Sequence, residues 1–451
     1  CWRGVSKMRR FYKGVILLAI AAFLGESLEF VVNMLLANYL GEVGLGLYMS
    51  ILPVIFLVVV ISSMELPISV SKFVAAKEEK FHASMLQHAI KLTIVATIGM
   101  ILIAFIVLPN IPIFNQYHPF IKWAVILLIP IVSFASIVRG YFMGLHRMGT
   151  IAVSNFLRKA IQLLLLTIVY KLFHFPLDTS IFIAVCTLIV TELLVAIYLL
   201  SMFGFQVRRL REKTAEPLNG RDVRKSLLEI SIPTTSMRIF HSVTHAVQPF
   251  LIKIALLKAG LPEAIALEQF GLLAGVALTI GFFPGFIAHS LLIVLIPTVS
   301  EAHAQKDFEK LRTILKQVMI LTFVYGIPSV ILFYYFAVPL TNIFFEFSLA
   351  ANYLQLLWPY FLFHFFVIPM QAYLIGLGMI KDAFLHAIWS TIIGFSMILL
   401  LGSMPSLQMN GVIIGMNAGI VLLTLMHYLT ICNKIGVTLW LRVPGFKSIT
   451  R

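Results

Sequence analysis

Apolar segments long enough to cross a bilayer recur along the whole chain, and they constrain its fold more than any other feature. A transmembrane helix needs about 20 mostly apolar residues, and about twelve such segments occur in these 451 residues. A basic stretch divides them six and six. The pattern predicts an all-α polytopic membrane protein, with two six-helix lobes and helices near 13–38, 44–66, 88–109, 118–142, 151–173, 179–203, 227–256, 267–298, 314–338, 351–377, 383–402 and 410–432.

The charge content agrees with a bilayer environment. Only 12% of the residues are charged and 60% are hydrophobic, which leaves too few charges to cover a soluble protein of this size. The net charge of +15 comes from Lys and Arg in short connections, so it indicates membrane topology rather than nucleic-acid binding. With a cytosolic N-terminus, the external connections hold only Lys122, Lys171, Lys253 and Lys258. We therefore expect a multi-pass cell-membrane protein with both termini in the cytosol.

The composition also divides the chain. We expect an N-terminal lobe over 1–204, a basic cytosolic linker over 205–225, a C-terminal lobe over 226–434 and a cytosolic tail over 435–451. The linker is expected to contact anionic lipid. The three cysteines show neither metal-ligand spacing nor a disulfide framework, so no metal and no cofactor is expected.

Polar residues in the first apolar segment recur in the seventh. Glu26, Glu29 and Asn33 correspond to Arg238, His241 and His245, and the offset is 212 residues in all three cases. GYFMGL at 140–145 likewise resembles AYLIGL at 372–377. These matches indicate an internal duplication, which is how many secondary transporters are built.

The recurring polar residues are the candidate site. Positions i, i+3 and i+7 share one helix face, and an ionisable group at the bilayer centre costs about 2.5–3.5 kcal/mol or more. Such groups should therefore face a cavity. The expected substrate-binding or coupling residues are Arg238, Glu26, Glu29, Asn33, His241, His245 and Gln248. Arg238 should bind an anionic group or pair with Glu26 or Glu29 across facing first and seventh helices; a purely structural salt bridge is the alternative.

The remaining charges inside apolar segments suggest structural roles. Glu65 and Glu192 are expected to be structural, and Arg139, Arg158 and Lys159 to be anchors near the cytosolic membrane surface. The alternative is that one of these three basic residues lines an inward-facing vestibule. No nucleotide-binding loop, nucleophile elbow or zinc-protease motif occurs, so the sequence favours transport over catalysis.

Three segments resemble a known family. They are LGEVGLGLYMSILP (40–53), MELPISVSKFVAAKEE (64–79) and VRGYFMGLHRMGTIAVSNFLRK (138–159). They resemble the stage V sporulation protein B family, in the polysaccharide-transporter branch of the superfamily that also holds multidrug extruders and the lipid II flippase. The resemblance implies a two-lobed helical fold with rocker-switch alternating access. It also implies export or flipping of a lipid-linked cell-wall or polysaccharide precursor in spore formation.

The chain departs from this family on its first helix. Relatives often carry basic residues there, whereas this sequence has Glu26 and Asn33. Carboxylates at this place resemble those of cation-coupled extruders, so a proton- or sodium-coupled antiporter of small organic solutes is the alternative function. A non-transporting scaffold for spore-envelope assembly is a second alternative. The expected partners are an amphipathic substrate such as a lipid-linked saccharide, anionic lipids and a coupling ion, with no nucleic acid; the oligomeric state stays open.

Overall fold

The computed structural model describes residues 2–145, 147–211, 218–346 and 348–438, and all regular structure among them is helical. Contacts divide the chain into a first unit, Cys1–Val247, and a second unit, Gln248–Arg451. The division falls inside a long helix rather than in the 205–225 segment. The predicted lobe boundaries stay a prediction, and residues 212–217 of the linker and 439–451 of the tail lie outside the described residues.

The first unit is built from long helices joined by short connections. Short 3₁₀ turns at Glu79–Phe81, Leu108–Asn110 and Pro112–Gln116 flank the third helix. The helices are α1 (Trp2–Ser63), α2 (Leu66–Ala76), α3 (His82–Val107), α4 (Ile121–Gly144), α5 (Met148–Leu172), α6 (Leu177–Arg211) and α7 (Gly220–Lys258), the last of which continues into the second unit.

The second unit has more and shorter helices. A π-helical turn over Leu272–Ala277 joins its first two helices. The helices are α8 (Glu263–Gly271), α9 (Leu278–Phe282), α10 (Gly285–Ala304), α11 (Phe308–Tyr335), α12 (Ala337–Thr341), α13 (Ala350–Leu356), α14 (Trp358–Gly376), α15 (Ile380–Gly402) and α16 (Met409–Ile435).

The expectation of about twelve membrane spans is confirmed. The described residues contain 12 helical segments that are long and apolar enough to cross a bilayer. Two details differ. The predicted first and second spans form one continuous helical run with a kink at Gly41, whose φ of 69° is left-handed. The predicted span at 267–298 is interrupted at Pro284, between α9 and α10, as expected for a proline within a helix.

The helix also breaks at Met64 and Glu65, between α1 and α2. Both residues have a left-handed φ of 47°, which is uncommon for residues other than glycine. The break frees backbone carbonyls that bilayer lipid cannot satisfy. Hydroxyl groups from other helices satisfy them: Ser133 Oγ donates to the Ser62 carbonyl at 3.0 Å, and Ser231 Oγ donates to the Met64 carbonyl. The break is therefore held by α4 and α7.

Close packing of small residues recurs in each unit. A Cβ added to Gly144 of α4 would lie 2.8 Å from the Ser71 carbonyl oxygen of α2, and one added to Gly376 of α14 would lie 3.0 Å from the Ile296 carbonyl oxygen of α10. Gly144 and Gly376 occupy the same position in the matched segments GYFMGL and AYLIGL. The contact supports the duplication, because each unit uses the same small residue to bring two helices together.

We predict that Gly140→Ala destabilises the first unit. A Cβ at this position would lie 2.8 Å from Pro67 Cα and 2.9 Å from the Pro67 carbonyl oxygen, so α2 and α4 would have to separate. Overpacking of this kind costs about 1–3 kcal/mol, and a lowered thermal unfolding midpoint would report it. Gly99→Ala is the control, since nothing lies within 4 Å of an added Cβ there. Equal midpoints for both variants would contradict the close contact.

Candidate functional site

A cavity of about 420 Å³ lies within the first unit, lined by residues of α1, α4, α5, α6 and α7 and by the break before α2. Its volume is in the range of small-molecule sites. One part of the wall is apolar, with Leu52, Phe56 and Val132, and another part is strongly charged. We call it the charged cavity, after its lining residues Glu29, Glu65, Arg139, Arg158, Lys159, Glu192 and Arg238.

Two of the basic residues lie deep inside a span. Arg158 and Lys159 are the eleventh and twelfth residues of α5, about 15 Å along the helix from its start. The expectation that they anchor α5 near the membrane surface is therefore wrong, and Arg238 is not alone as a basic residue deep in a span. The physical reason is that their side chains reach carboxylates on neighbouring helices rather than the interface.

Both α5 cations form ion pairs. Arg158 Nε lies 2.7 Å from Glu192 Oε1 of α6, and Lys159 Nζ contacts Glu29 Oε2 of α1. All four side chains are between 16% and 32% exposed. Because each pair crosses a helix interface, the charges join α1, α5 and α6 while still facing the cavity.

Arg238 pairs with Glu65, and not with Glu26 or Glu29 as expected. Its Nη1 donates to Glu65 Oε1 at 2.7 Å, and the side chains are 59% and 3% exposed respectively. The break at Met64 accounts for the difference, because it ends the helix and places the Glu65 carboxylate against α7. The sequence-based pairing rested on the matched polar faces of the first and seventh helices, which do not reveal this break.

Arg139 differs from the other basic residues of the cavity. Within the described part of the chain, its guanidinium has neither a hydrogen bond nor a carboxylate within 4 Å. It is attracted by Glu192 and repelled by Arg158 and Arg238. The described lining thus holds four cations and three carboxylates, and each carboxylate already has a partner. An anion entering the cavity would meet an uncompensated guanidinium.

The structure brings only some of the predicted residues to the cavity. Glu29 and Arg238 line it, while Glu26 is half-buried and within electrostatic range of Lys159. Asn33 is buried. His241 is half-buried with its ring against Phe240, and His245 is exposed; Gln248 belongs to the second unit.

Sequence reasoning assigned structural roles to Glu65 and Glu192, and it gave the lining of a vestibule by one of Arg139, Arg158 and Lys159 only as an alternative. A signal was present, because each is an ionisable residue inside an apolar segment, and such residues face cavities or partners by default. The described residues contain no group of three or more His, Cys, Asp or Glu placed to hold a metal ion.

Comparisons with known sequences agree over nearly the whole chain. Residues 11–303 match the family described as polysaccharide biosynthesis protein, and residues 273–400 match the MatE family. Sporulation protein YkvU of Bacillus subtilis (strain 168) is 54% identical over 434 residues, covering 96% of this chain and 98% of the relative. Stage V sporulation protein B of the same organism is 27% identical, covering 95% of this chain and 85% of the relative.

Solved structures with a similar fold are transporters. An inward-facing multidrug resistance MATE family transporter of the MOP superfamily has a TM-score of 0.71 at 15% identity, covering 94% of this chain and 98% of the other. A MOP superfamily transporter from Pyrococcus furiosus, described as having a binding pocket of reversed polarity, has a TM-score of 0.63 at 16% identity and covers 94% and 96%. The chain has the fold of these transporters, and it belongs to the polysaccharide biosynthesis protein family.

Proposed function

We propose that this protein is a membrane transporter or flippase that moves an anionic, lipid-linked saccharide or cell-envelope precursor across the bilayer during sporulation, by alternating access. Unpaired Arg139 in the charged cavity is the observation that carries the substrate class. The family match and the transporter fold support transport rather than catalysis. The names of two relatives, Sporulation protein YkvU and Stage V sporulation protein B, support the process.

The chemistry of the cavity fits an anionic head group. A guanidinium presents a planar array of donors that matches phosphate or carboxylate oxygens in pairs. Inside a span the dielectric constant is low, so the positive field of Arg139, Arg158 and Arg238 is weakly screened. A bound anion is attracted by these guanidinium groups and offsets the repulsion among them. The volume of about 420 Å³ holds a head group, and the apolar wall at Leu52 and Phe56 suits the less polar part of an amphipathic substrate.

The Arg238–Glu65 ion pair can be formed or broken, and these are two states of the cavity. Arg238 is mostly exposed, whereas Glu65 is almost completely buried at the helix break. An anion that draws Arg238 away leaves the Glu65 carboxylate without its partner, which favours rearrangement or protonation at the break. A substrate shifts this equilibrium only by its different affinity for the two states, and the exchange of partners supplies that difference.

The first test concerns Arg139. Arg139→Gln keeps a polar side chain, though a shorter one, and removes its charge, so binding of the anionic substrate should fall about tenfold or more, as expected for a lost charge-assisted hydrogen bond. The rate at which proteoliposomes flip a fluorescent lipid-linked saccharide reports this loss. The control is Arg147→Gln, because Arg147 is exposed between α4 and α5. Unchanged flipping by Arg139→Gln would contradict the role of the cavity.

The second test is a double-mutant cycle on the ion pair at the helix break. Arg238→Ala alone strands a buried carboxylate and should lose more stability and transport than Arg238→Ala combined with Glu65→Gln. We expect a coupling energy of about 1–3 kcal/mol between the two positions. Arg238→Ala with Glu29→Gln is the comparison pair and should be close to additive. Additive effects in the first pair would show that the two groups do not act together.

The orientation follows from the Lys and Arg asymmetry and is part of the same proposal. In a background lacking the native cysteines, Asn219→Cys near the start of α7 should react with a membrane-impermeant maleimide only after the cells are permeabilised. His174→Cys, between α5 and α6, should react in intact cells. Both positions are exposed, so the reverse pattern would place the termini outside.

A cation-coupled antiporter is the second candidate, favoured by Glu26. Its carboxylate has no ion pair or hydrogen bond in the described part of the chain, and it lies in a membrane span. Uptake of a cationic dye driven by a proton or sodium gradient in vesicles would support this candidate, and strict dependence on an anionic lipid-linked substrate would refute it.

A further inference from the structure

Two of the α1 carboxylates, those of Glu26 and Glu29, already have a cation nearby. Glu26 and Glu29 are three residues apart and share a helix face. Lys159 Nζ of α5 contacts Glu29 Oε2, and the Lys159 ammonium also interacts electrostatically with Glu26 and Glu192. The positive charge near Glu26 and Glu29 is therefore carried by a side chain of the protein itself.

Lys159 of α5 pairs with a carboxylate of α1 rather than with Glu192 of α6. Helix α1 contacts α4, α5 and α6, and the charged groups that these helices direct toward the cavity are Arg139, Arg158, Lys159 and Glu192. Glu192 is held by Arg158 at 2.7 Å, and Arg139 makes no ion pair among the described residues. Lys159 is thus the cation that contacts Glu29 of α1.

We propose that Lys159 is the resident counter-cation of Glu26 and Glu29 and excludes metal cations from these two carboxylates. This inference rests on the proposed transport function. It makes Lys159 a residue that determines which cation can take part in transport. Two carboxylates one turn apart inside a span need a compensating charge, and oxygen ligands of this kind also suit hard metal cations. An ammonium on a covalent tether neutralises them without leaving the protein. Sodium then has no site at Glu26 and Glu29, and a sodium gradient cannot act at these two residues.

The test removes the tethered charge and asks whether sodium replaces it. The purified proteins are the wild type, Lys159→Met and Lys159→Arg, and their thermal unfolding midpoints are compared in NaCl and in choline chloride at equal ionic strength. Wild type and Lys159→Arg should have the same midpoint in both salts. Lys159→Met should unfold at a lower temperature in choline chloride and gain at least about 2 °C in NaCl, because a bound cation stabilises the folded state.

Lys253→Met is the matched control. Lys253 Nζ lies 2.5 Å from Glu263 Oε1 in the second unit, so this variant also breaks a lysine–glutamate ion pair, and it should show no difference between the two salts. Adding Glu29→Gln to Lys159→Met should abolish the sodium response. A Lys159→Met protein with equal midpoints in both salts overturns the proposal, and so does a wild type that sodium stabilises. These midpoints do not depend on transport, so failure of the flipping assay would refute the proposed function alone.

Discussion

The burial of charge inside a bilayer is the constraint on which the rest of this structure depends. Seven ionisable side chains line one cavity of the first unit, in a medium where each unpaired charge is costly. Three ion pairs compensate six of them, and every pair joins a different combination of chain segments. The charges therefore position the helices as well as the site. The seventh, Arg139, makes no ion pair among the described residues, and it is the residue to which we propose that an anionic ligand binds.

The helix break between α1 and α2 couples backbone structure to this charge pattern. Bilayer lipid offers no hydrogen bonds to a broken helix, so the freed carbonyls need partners from the protein. Ser133 and Ser231 supply them, and the same break presents Glu65 to Arg238. Two consecutive left-handed residues other than glycine are an unfavourable conformation, and such conformations concentrate at functional sites. The break is thus the element most suited to change if the ion pair exchanges partners as we propose.

An internal duplication accounts for the helix packing that the two units share, and later divergence accounts for their different polar residues. Gly144 packs against α2 in the first unit, and Gly376 packs against α10 in the second. In each unit a small residue at the matched position lets two helix backbones approach closely. The polar residues did not carry over in kind: Glu26, Glu29 and Asn33 of the first helix correspond to Arg238, His241 and His245 of α7. The packing of a fold can therefore be kept while the charge of corresponding positions changes.

The sequence by itself determined the class of fold, the number of spans and the family, because these depend on the length and period of apolar segments and on local motifs. It also identified Glu29 and Arg238 as cavity residues, since a charge inside an apolar segment is visible without coordinates. Only the tertiary structure decided the partners. Which carboxylate meets Arg238 depends on the break at Met64, and which cation meets Glu29 depends on the rotation of α5 against α1. Pairing is a property of distances between helices, and hydrophobic periodicity within one helix carries no information about them.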